Sequence, residues 1–278
     1  MTAKTPQQLF DLTGKVAVIT GGSGFLGQRH AETIAAAGGT PVIIDIESSR
    51  SYAQTMKLQE TYGVPASALV ADIADETQVE ELLRQILAAH GRIDILVNNA
   101  ANNPKVEDPA ALGWSRFENF PLGQWDADLR VGLTGTFICC KVFGSHMVRQ
   151  GGGSIINIAS IYGVIAPDQR LYRIEGLAAE DQPTKPVSYT VVKSAILGLT
   201  MYLSVYWAPR MVRVNSISPG GIYNGQLESD VKRLSDVVPL GRMAEADELS
   251  GALLYLSSSA SSYVTGLNLL VDGGRSCW

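Results

Sequence analysis

The stretch Lys15–Gly27, with the sequence KVAVITGGSGFLG, decides the fold. Its first six residues are a largely β-branched run typical of a buried strand, and glycines follow at positions 21, 22, 24 and 27. Glycine is tolerated where a chain turns so sharply that other side chains would clash. The free N–H groups of a helix that starts there favour a phosphate. The stretch therefore predicts a strand, a turn and a helix that accept a pyrophosphate, although a plain strand–helix turn fits it as well.

Apolar runs and helical patterns alternate along the rest of the chain. Further strand-like runs lie at 41–45, 68–71, 93–97, 154–158, 212–217 and 267–271. Between two of them, Val79, Leu82, Leu83 and Ile86 recur at the spacing of one helix face. The runs are apolar throughout, as in a parallel sheet covered by helices on both sides. We therefore predict an α/β fold, in which residues 1–278 form a single doubly wound Rossmann domain with a central parallel sheet of about seven strands.

Composition excludes several classes of protein. With 22 Lys and Arg against 27 Asp and Glu, the net charge is −5, which argues against nucleic acid as the main partner because phosphate binding needs clustered cations. We find no apolar run long enough to span a membrane and no apolar region of a secretion signal near the N-terminus. The three cysteines form no disulfide pattern and the three histidines no metal-ligand spacing. We expect a cytoplasmic protein without a bound metal.

Asp45 indicates which dinucleotide would bind. It ends the second strand-like run, 24 residues after Gly21. A carboxylate there can accept hydrogen bonds from both hydroxyls of the adenosine ribose and would repel a 2′-phosphate, so NAD is favoured over NADP. The third and fourth runs end at the same edge of the predicted sheet, where ligands bind. The expected cofactor residues of this half of the chain are Gly21, Ser23, Gly24, Phe25, Leu26, Asp45, Asp72, Ile73, Asn99 and Ala100.

Ser160, Tyr189 and Lys193 are the candidate catalytic residues. Ser160 follows the fifth strand, and Tyr189 and Lys193 lie four residues apart on the next helix, so they share one helix face. An ordinary phenol has a pKa of about 10. A nearby ammonium and an oxidised nicotinamide both favour the phenolate, so we expect the pKa of Tyr189 to be lowered until it can act as a base near neutral pH. Taken alone, the same spacing also fits a core tyrosine beside a surface lysine.

In combination these motifs resemble the short-chain dehydrogenase/reductase family in its single-domain form. The resemblance runs from about Leu12 to Gly274 and includes the glycine turn, the three catalytic candidates, Asn215–Gly221 and Val271–Gly274. It implies that Tyr189 moves a proton to or from the substrate oxygen. It also implies that Lys193 holds the nicotinamide ribose and that Ser160 hydrogen-bonds the substrate oxygen.

The resemblance extends to the cofactor amide and to assembly. It implies that the backbone around Pro219, Gly220 and Ile222 holds the nicotinamide carboxamide. It further implies a homotetramer, with a homodimer as the alternative, built through the helix that carries Tyr189. The apolar stripe of that helix continues through Tyr202, Leu203 and Tyr206.

The sequence departs from the family pattern at three places. Phe25 stands where the glycine turn usually has its middle glycine, a spacing shared with a sugar-nucleotide-modifying branch. Gly132 stands where the family usually has a catalytic Asn that supports a water next to the lysine. Ser160 and Tyr189 are 29 positions apart, a longer interval than the family usually has.

Two enlarged loops, at about 101–124 and 165–187, leave the predicted sheet at its ligand-binding edge. They could be surface elaborations or oligomer contacts. The second loop holds Arg170 and Arg173, and guanidinium groups bind carboxylates and phosphates with two parallel hydrogen bonds. We therefore expect a large, polar and anionic small-molecule substrate, with Tyr162, Arg170 and Arg173 as candidate contacts.

These observations predict an NAD-dependent oxidoreductase. It would transfer a hydride between nicotinamide and a secondary alcohol or ketone of a polar, sugar-derived substrate. The alternatives are a sugar epimerase or dehydratase that retains its NAD, and a non-catalytic NAD-binding sensor. The segments Ser160–Pro167 and Val131–Gly135 are also similar to a subgroup of sugar and nonulosonic-acid (legionaminic-type, flagellin-modification) oxidoreductases, which fits an enlarged substrate pocket.

Overall fold

The computed structural model describes residues 3–102 and 113–278. Seven strands form one sheet in the order β3-β2-β1-β4-β5-β6-β7, and every neighbouring pair is parallel. The strands are β1 Val16–Thr20, β2 Thr40–Asp45, β3 Ser67–Val70, β4 Ile95–Asn98, β5 Gly153–Ile158, β6 Val212–Pro219 and β7 Asn268–Val271. The strand order reverses between β1 and β4, and ligands bind outside such a reversal. The predicted seven-stranded parallel sheet is confirmed.

Helices cover both faces of the sheet. They are α1 Pro6–Phe10, α2 Phe25–Ala36, α3 Ser48–Tyr62, α4 Glu76–His90, α5 Leu122–Gln150, α6 Val187–Trp207, α7 Glu228–Ser235 and α8 Ser250–Ser257. The sequence pattern does not predict α1 or α7. Neither helix contains a buried residue, so neither has the apolar stripe on which a helix prediction depends.

The apolar core has two layers, because alternate residues of each strand face opposite sides of the sheet. On one side, Val18 of β1 packs with Phe143 and Met147 of α5. On the other side, the next residue, Ile19, packs with Ile34 of α2. All five side chains are fully buried. Burial on both faces explains why the strands are apolar throughout rather than alternating.

The long helices α5 and α6 are apolar and long enough to cross a membrane by length and composition. In this fold both pack against the sheet. Trp207 of α6 lies against Gly144 of α5, where an added Cβ would be only 2.5 Å from the indole ring. Leu203 faces the core, whereas Tyr202 and Tyr206 point outward and stack with a 5.7 Å separation of ring centroids. Leu203 therefore does not share the outer face of α6 with the two tyrosines, and that outer face stays the predicted contact between copies of the chain.

Candidate active site

The glycine turn after β1 is held in place from β4. Gly21 has a positive φ of 59°, and a Cβ there would lie 2.8 Å from Cα of Ala100. The Thr20 hydroxyl accepts hydrogen bonds from the N–H groups of Asn99 and Ala100, at 3.1 Å each. The Asn99 amide donates to the carbonyls of Thr20 and Gly21. Asn99, a predicted cofactor residue, thus fixes the turn that a cofactor would meet.

The start of α2 has the properties of a phosphate site. Gly24 caps the helix without a side-chain hydrogen bond, so the first N–H groups of α2 are left for a ligand. A Cβ on Gly27 would lie 2.2 Å from the Gly21 carbonyl oxygen, which means that the helix packs directly onto the turn. Phe25 and Leu26 line the adjoining cavity. These residues fit the pyrophosphate of a dinucleotide.

Asp45 is fixed by the glycine turn itself. One carboxylate oxygen accepts hydrogen bonds from the Ser23 N–H (3.0 Å) and the Ser23 hydroxyl (2.5 Å). The other accepts from the Ile46 N–H at 2.8 Å. Ser23 is buried, so it acts by holding Asp45. The result is a negative charge held at the end of β2, next to the turn.

Asp72 and Ile73 also make contacts within the protein. Asp72 accepts hydrogen bonds from the Arg130 guanidinium and the Ala74 N–H, both at 2.9 Å. Ile73 is buried and packs against Gly135 of α5. Their predicted contact with the cofactor stays a prediction.

Ser160, Tyr189 and Lys193 line one cavity of about 370 Å³. The Ser160 hydroxyl oxygen accepts a hydrogen bond from the Tyr162 N–H at 3.2 Å. The Lys193 ammonium donates to the Ile158 carbonyl at 2.7 Å and lies 5.8 Å from the centre of the Tyr189 ring. The fold thus brings together all three residues that the sequence singled out.

Hydrogen bonds between buried side chains position the helix that carries this site. Ser188, which precedes Tyr189, donates to the carboxylate of Asp128 of α5 at 2.5 Å. Farther along α6, Thr200 accepts a hydrogen bond from the Asn157 amide of β5 at 2.9 Å. Together these two bonds set the position of α6 relative to the sheet.

Burial sets the protonation of the catalytic pair. Burial raises the pKa of Tyr189 above its usual value, and the nearby Ser160 side chain opposes that change. Burial also lowers the pKa of Lys193 to about 8, and the charge of Lys185 adds to this effect. The predicted lowering of the Tyr189 pKa is therefore wrong for the protein alone. A nearby ammonium and an oxidised nicotinamide were both expected to lower this pKa. Only the positive charge of a bound, oxidised nicotinamide is left to do so.

Lys185 is a residue of this site that is not among the substrate contacts predicted from the sequence. Its ammonium lies over the face of the Tyr189 ring, 3.9 Å from the ring centre. Its backbone N–H donates to the Gln169 side chain at 2.8 Å. The spacing of four residues between Lys185 and Tyr189 would be a signal within one helix, but α6 begins after Pro186. Helix periodicity therefore does not apply to this pair.

The two enlarged loops bind each other. The Thr184 N–H donates to the Ser115 hydroxyl at 2.9 Å, and the Thr184 hydroxyl donates to the Ser115 carbonyl at 2.7 Å. Arg116 donates to the Ala179 carbonyl at 2.9 Å. Residues 103–112 of the first loop lie outside the described residues. We call this reciprocal contact of Ser115 and Thr184 the loop clasp, and it lies directly before Lys185.

Of the three predicted substrate contacts, only Tyr162 lines the cavity. Tyr162 lines the cavity, and its hydroxyl accepts a hydrogen bond from Tyr172 at 3.3 Å. Arg170 does not line it: its side chain is 78% exposed and pairs with Asp168, whose pKa this pairing lowers to about 2. Arg173 is exposed outside the cavity as well. Neither arginine lies in the cavity lining, and their contact with a substrate stays a prediction.

The chain after β6 supplies another wall of the cavity. Pro219, Gly220 and Ile222 all line it. Gly220 lies against the end of β7, where a Cβ would be 2.9 Å from Cα of Asp272. The Ile222 carbonyl accepts a hydrogen bond from the Gln226 amide at 3.1 Å. The carboxyl ends of β6 and β7 therefore bound the cavity on this side.

Comparison with known proteins agrees with this geometry. A family model described as enoyl-(acyl carrier protein) reductase matches residues 25–276. The NAD-dependent glycerol dehydrogenase of Listeria innocua is 33% identical and aligns over 99% of this chain and 98% of its own. The chain belongs to the short-chain dehydrogenase/reductase family. Its relatives include named dehydrogenases that act on CH–OH groups, and this dehydrogenase/reductase is an enzyme of that kind.

Two further relatives carry names of sugar acids. The 2-dehydro-3-deoxy-D-gluconate 5-dehydrogenase of Bacillus subtilis is 32% identical over 95% of this chain and 96% of its own. The crystal structure of a gluconate 5-dehydrogenase from Burkholderia cenocepacia, in complex with NADP and tartrate, has a TM-score of 0.85 and 29% identity, covering 99% of this chain and all of that one. This short-chain dehydrogenase/reductase is therefore similar to enzymes of polyols and sugar acids. The narrower resemblance to nonulosonic-acid enzymes stays a prediction.

Gly132 of this dehydrogenase/reductase lies where α5 and α6 touch. It belongs to a π-helical segment of α5, Arg130–Gly135. A Cβ at Gly132 would lie 2.7 Å from Cγ1 of Val192, the residue before Lys193. An Asn side chain would not fit at this position, because Val192 fills the space that it would need.

We expect Gly132→Asn to destabilise the protein. An added side chain must displace Val192 or the backbone of α6, and such overpacking costs about 1–3 kcal/mol. The measurement is the free energy of unfolding in denaturant. The matched control is the double variant Gly132→Asn/Val192→Ala, which opens the space and recovers part of the loss relative to Val192→Ala alone. A single Gly132→Asn variant as stable as the parent would contradict the steric argument.

Proposed function

We propose that this protein is an NAD-dependent oxidoreductase that interconverts a secondary alcohol and a ketone in a sugar-derived substrate. The observation that carries the proposal is the shared cavity, in which Ser160, Tyr189 and Lys193 lie with the predicted cofactor residues Phe25 and Pro219. The names of its relatives, which include glycerol and sugar-acid dehydrogenases, support a polyhydroxy substrate.

The catalytic groups suit a proton transfer at one substrate oxygen. The Ser160 oxygen already accepts a hydrogen bond from the Tyr162 N–H. The hydroxyl proton of Ser160 is therefore left to donate a hydrogen bond to the substrate oxygen. In the oxidation direction the Tyr189 phenolate accepts the proton of the substrate hydroxyl. Lys193 would hold the nicotinamide ribose from its place beside the Ile158 carbonyl. A bound, oxidised nicotinamide would serve as the acceptor of the hydride.

Asp45 supports the choice of NAD. Its carboxylate is fixed by Ser23 before any ligand arrives, and a fixed negative charge repels a 2′-phosphate. The relatives include both an NAD-dependent enzyme and a structure with NADP, so this preference rests on the one carboxylate.

We expect Asp45→Ser to move the cofactor preference toward NADP⁺. Loss of the carboxylate removes hydrogen bonds to the ribose hydroxyls and the repulsion of the 2′-phosphate. The ratio of kcat/KM for NAD⁺ to that for NADP⁺ should fall by about 10- to 100-fold. Glu47→Gln is the matched control, because Glu47 is an exposed carboxylate two residues away, and it should leave the ratio unchanged. A parent enzyme that already prefers NADP⁺ would overturn the role of Asp45.

The function itself is tested with a panel of polyols and sugar acids. Each compound is incubated with the enzyme and NAD⁺, and NADH is followed by its absorbance. One NADH released per substrate oxidised supports the proposal. Conversion of a substrate into an isomer without release of NADH would favour the cofactor-retaining epimerase instead.

A further inference from the structure

Gln226 lies in the chain after β6 and lines the cavity together with Ile222 and Asn224. Its side chain makes two hydrogen bonds back to this short segment, at 2.6 Å and 3.1 Å. We propose that Gln226 is a positioning residue, which holds the backbone of Ile222 in the orientation that binds the nicotinamide carboxamide. This inference rests on the proposed function and adds a residue to its cofactor site.

A contact with Ala244 sets the direction of the Ile222 backbone groups. The Ala244 carbonyl accepts a hydrogen bond from the Tyr223 N–H at 2.8 Å, and the Ala244 N–H donates to the Gly221 carbonyl at 3.0 Å. This pairing is a parallel β-bridge between Ile222 and Ala244. In such an extended chain, successive residues direct their N–H and C=O groups to opposite sides. The N–H and C=O groups of Ile222 therefore both point away from Ala244.

A donor and an acceptor that point the same way suit a primary amide, which offers one C=O and one NH₂ group. Among the described residues, the Ile222 N–H has no hydrogen-bond partner. The Ile222 carbonyl accepts a hydrogen bond from Gln226, but a carbonyl oxygen has two lone pairs and can accept a second one from a ligand. The carboxamide of a nicotinamide in this cavity matches both groups.

The two hydrogen bonds of Gln226 use opposite ends of its amide. The Oε1 atom accepts from the Asn224 N–H, and the Nε2 atom donates to the Ile222 carbonyl. Between them, Gly225 has a φ of 73°, a left-handed conformation that glycine adopts without strain. The side chain thus ties positions 222 and 224 together. A turn that is ordered before binding costs less entropy when a ligand arrives, so Gln226 favours binding of the nicotinamide.

The experiment measures the dissociation constants of NADH and of ADP-ribose, which lacks the nicotinamide, by calorimetry on the purified protein. We expect Gln226→Met to weaken NADH binding by about 5- to 30-fold, because two hydrogen bonds of the turn are lost. Binding of ADP-ribose should not change. Gln226→Glu keeps an acceptor for the Asn224 N–H but has no donor for the Ile222 carbonyl, so it should lose NADH affinity as well.

A modified cofactor tests the contact with the carboxamide. In reduced 3-acetylpyridine adenine dinucleotide a methyl group replaces the amide nitrogen, so this compound cannot donate to the Ile222 carbonyl. Gln226→Met should therefore weaken its binding less than it weakens the binding of NADH. Gln59→Met is the matched control. Gln59 also donates to a backbone carbonyl, that of Ala66 at 2.8 Å, but lies outside the cavity lining, so its loss should change no dissociation constant.

The outcomes separate this inference from the proposed function. Unchanged NADH binding in either Gln226 variant, or equal losses for NADH and ADP-ribose in Gln226→Met, would overturn the role of Gln226 while the function stands. Equal losses for NADH and its acetylpyridine analogue would overturn it too. A parent that binds NADH with the expected dependence on Gln226 but oxidises no polyol or sugar acid would overturn the function and leave the inference. A parent that binds neither NADH nor NADPH would overturn both.

Discussion

We expect Tyr189→Phe to lower kcat by about 100- to 10,000-fold, the usual contribution of a positioned acid–base group. The change removes one hydroxyl and keeps the ring that lies beneath Lys185. Lys193 keeps its hydrogen bond to the Ile158 carbonyl, and the glycine turn is not touched. The cofactor should therefore bind as before. The measurement is kcat for alcohol oxidation together with the dissociation constant of NADH.

Tyr202→Phe is the matched control for this variant. Tyr202 lies on the same helix, is 64% exposed and points away from the cavity, so loss of its hydroxyl should leave kcat unchanged. The parent should also oxidise its substrate faster as the pH rises above neutrality, because the base is the phenolate and burial raises the pKa of Tyr189. Retention of most of the turnover by Tyr189→Phe would remove Tyr189 from the reaction.

Gly27→Ala should have the largest effect on folding and on cofactor binding. Its Cβ would lie 2.2 Å from the Gly21 carbonyl oxygen and 2.6 Å from Cα of Gly22. Both are backbone atoms of the turn, so neither can rotate away. We expect a loss of about 3 kcal/mol or more in the free energy of unfolding. We also expect weaker NAD binding, because α2 must move away from the turn that would hold the pyrophosphate.

The control for this loss is Gly251→Ala. Gly251 also lies in the first turn of a helix, but apart from its chain neighbours and the backbone of its own helix, no atom of the described residues lies within 4 Å of where its Cβ would be. Ala at a helix position without a clash stabilises by about 0.5–1 kcal/mol. Equal free energies of unfolding for the two variants would show that the close approach of α2 to the turn does not contribute to stability.

The main elements of the fold could be predicted because they repeat a local pattern. Each strand is apolar and each long helix has an apolar stripe, so the seven strands and most helices follow from spacing alone. The exceptions have no such pattern. The helix α7 has no buried residue along its whole length, and α1 is a single capped turn of five residues. The first turn of α1 is capped by Thr5, whereas α7 has acidic residues in its first turn and basic residues in its last turn, an arrangement that the helix dipole favours.

The residues of the candidate site also differ in whether the sequence reveals them. Ser160, Tyr189 and Lys193 follow strand ends and helix spacing, which sequence reveals. The charged residues of the cavity do not, because the sequence pointed to Arg170, whose side chain instead forms an ion pair with Asp168 outside the cavity. Arg275 is brought in by β7 from the far end of the chain. The identity of the charges that face a substrate is thus a property of loop packing.

The loop clasp has a consequence for how this pocket could be changed. Ser115 and Thr184 satisfy each other's hydrogen bonds across 69 positions of sequence, so the two loops form one structural unit. A chimera that imports only one loop from a relative would leave a donor and an acceptor without partners and would displace Lys185. Substrate range should therefore be transferable between such enzymes when both loops are exchanged as a pair.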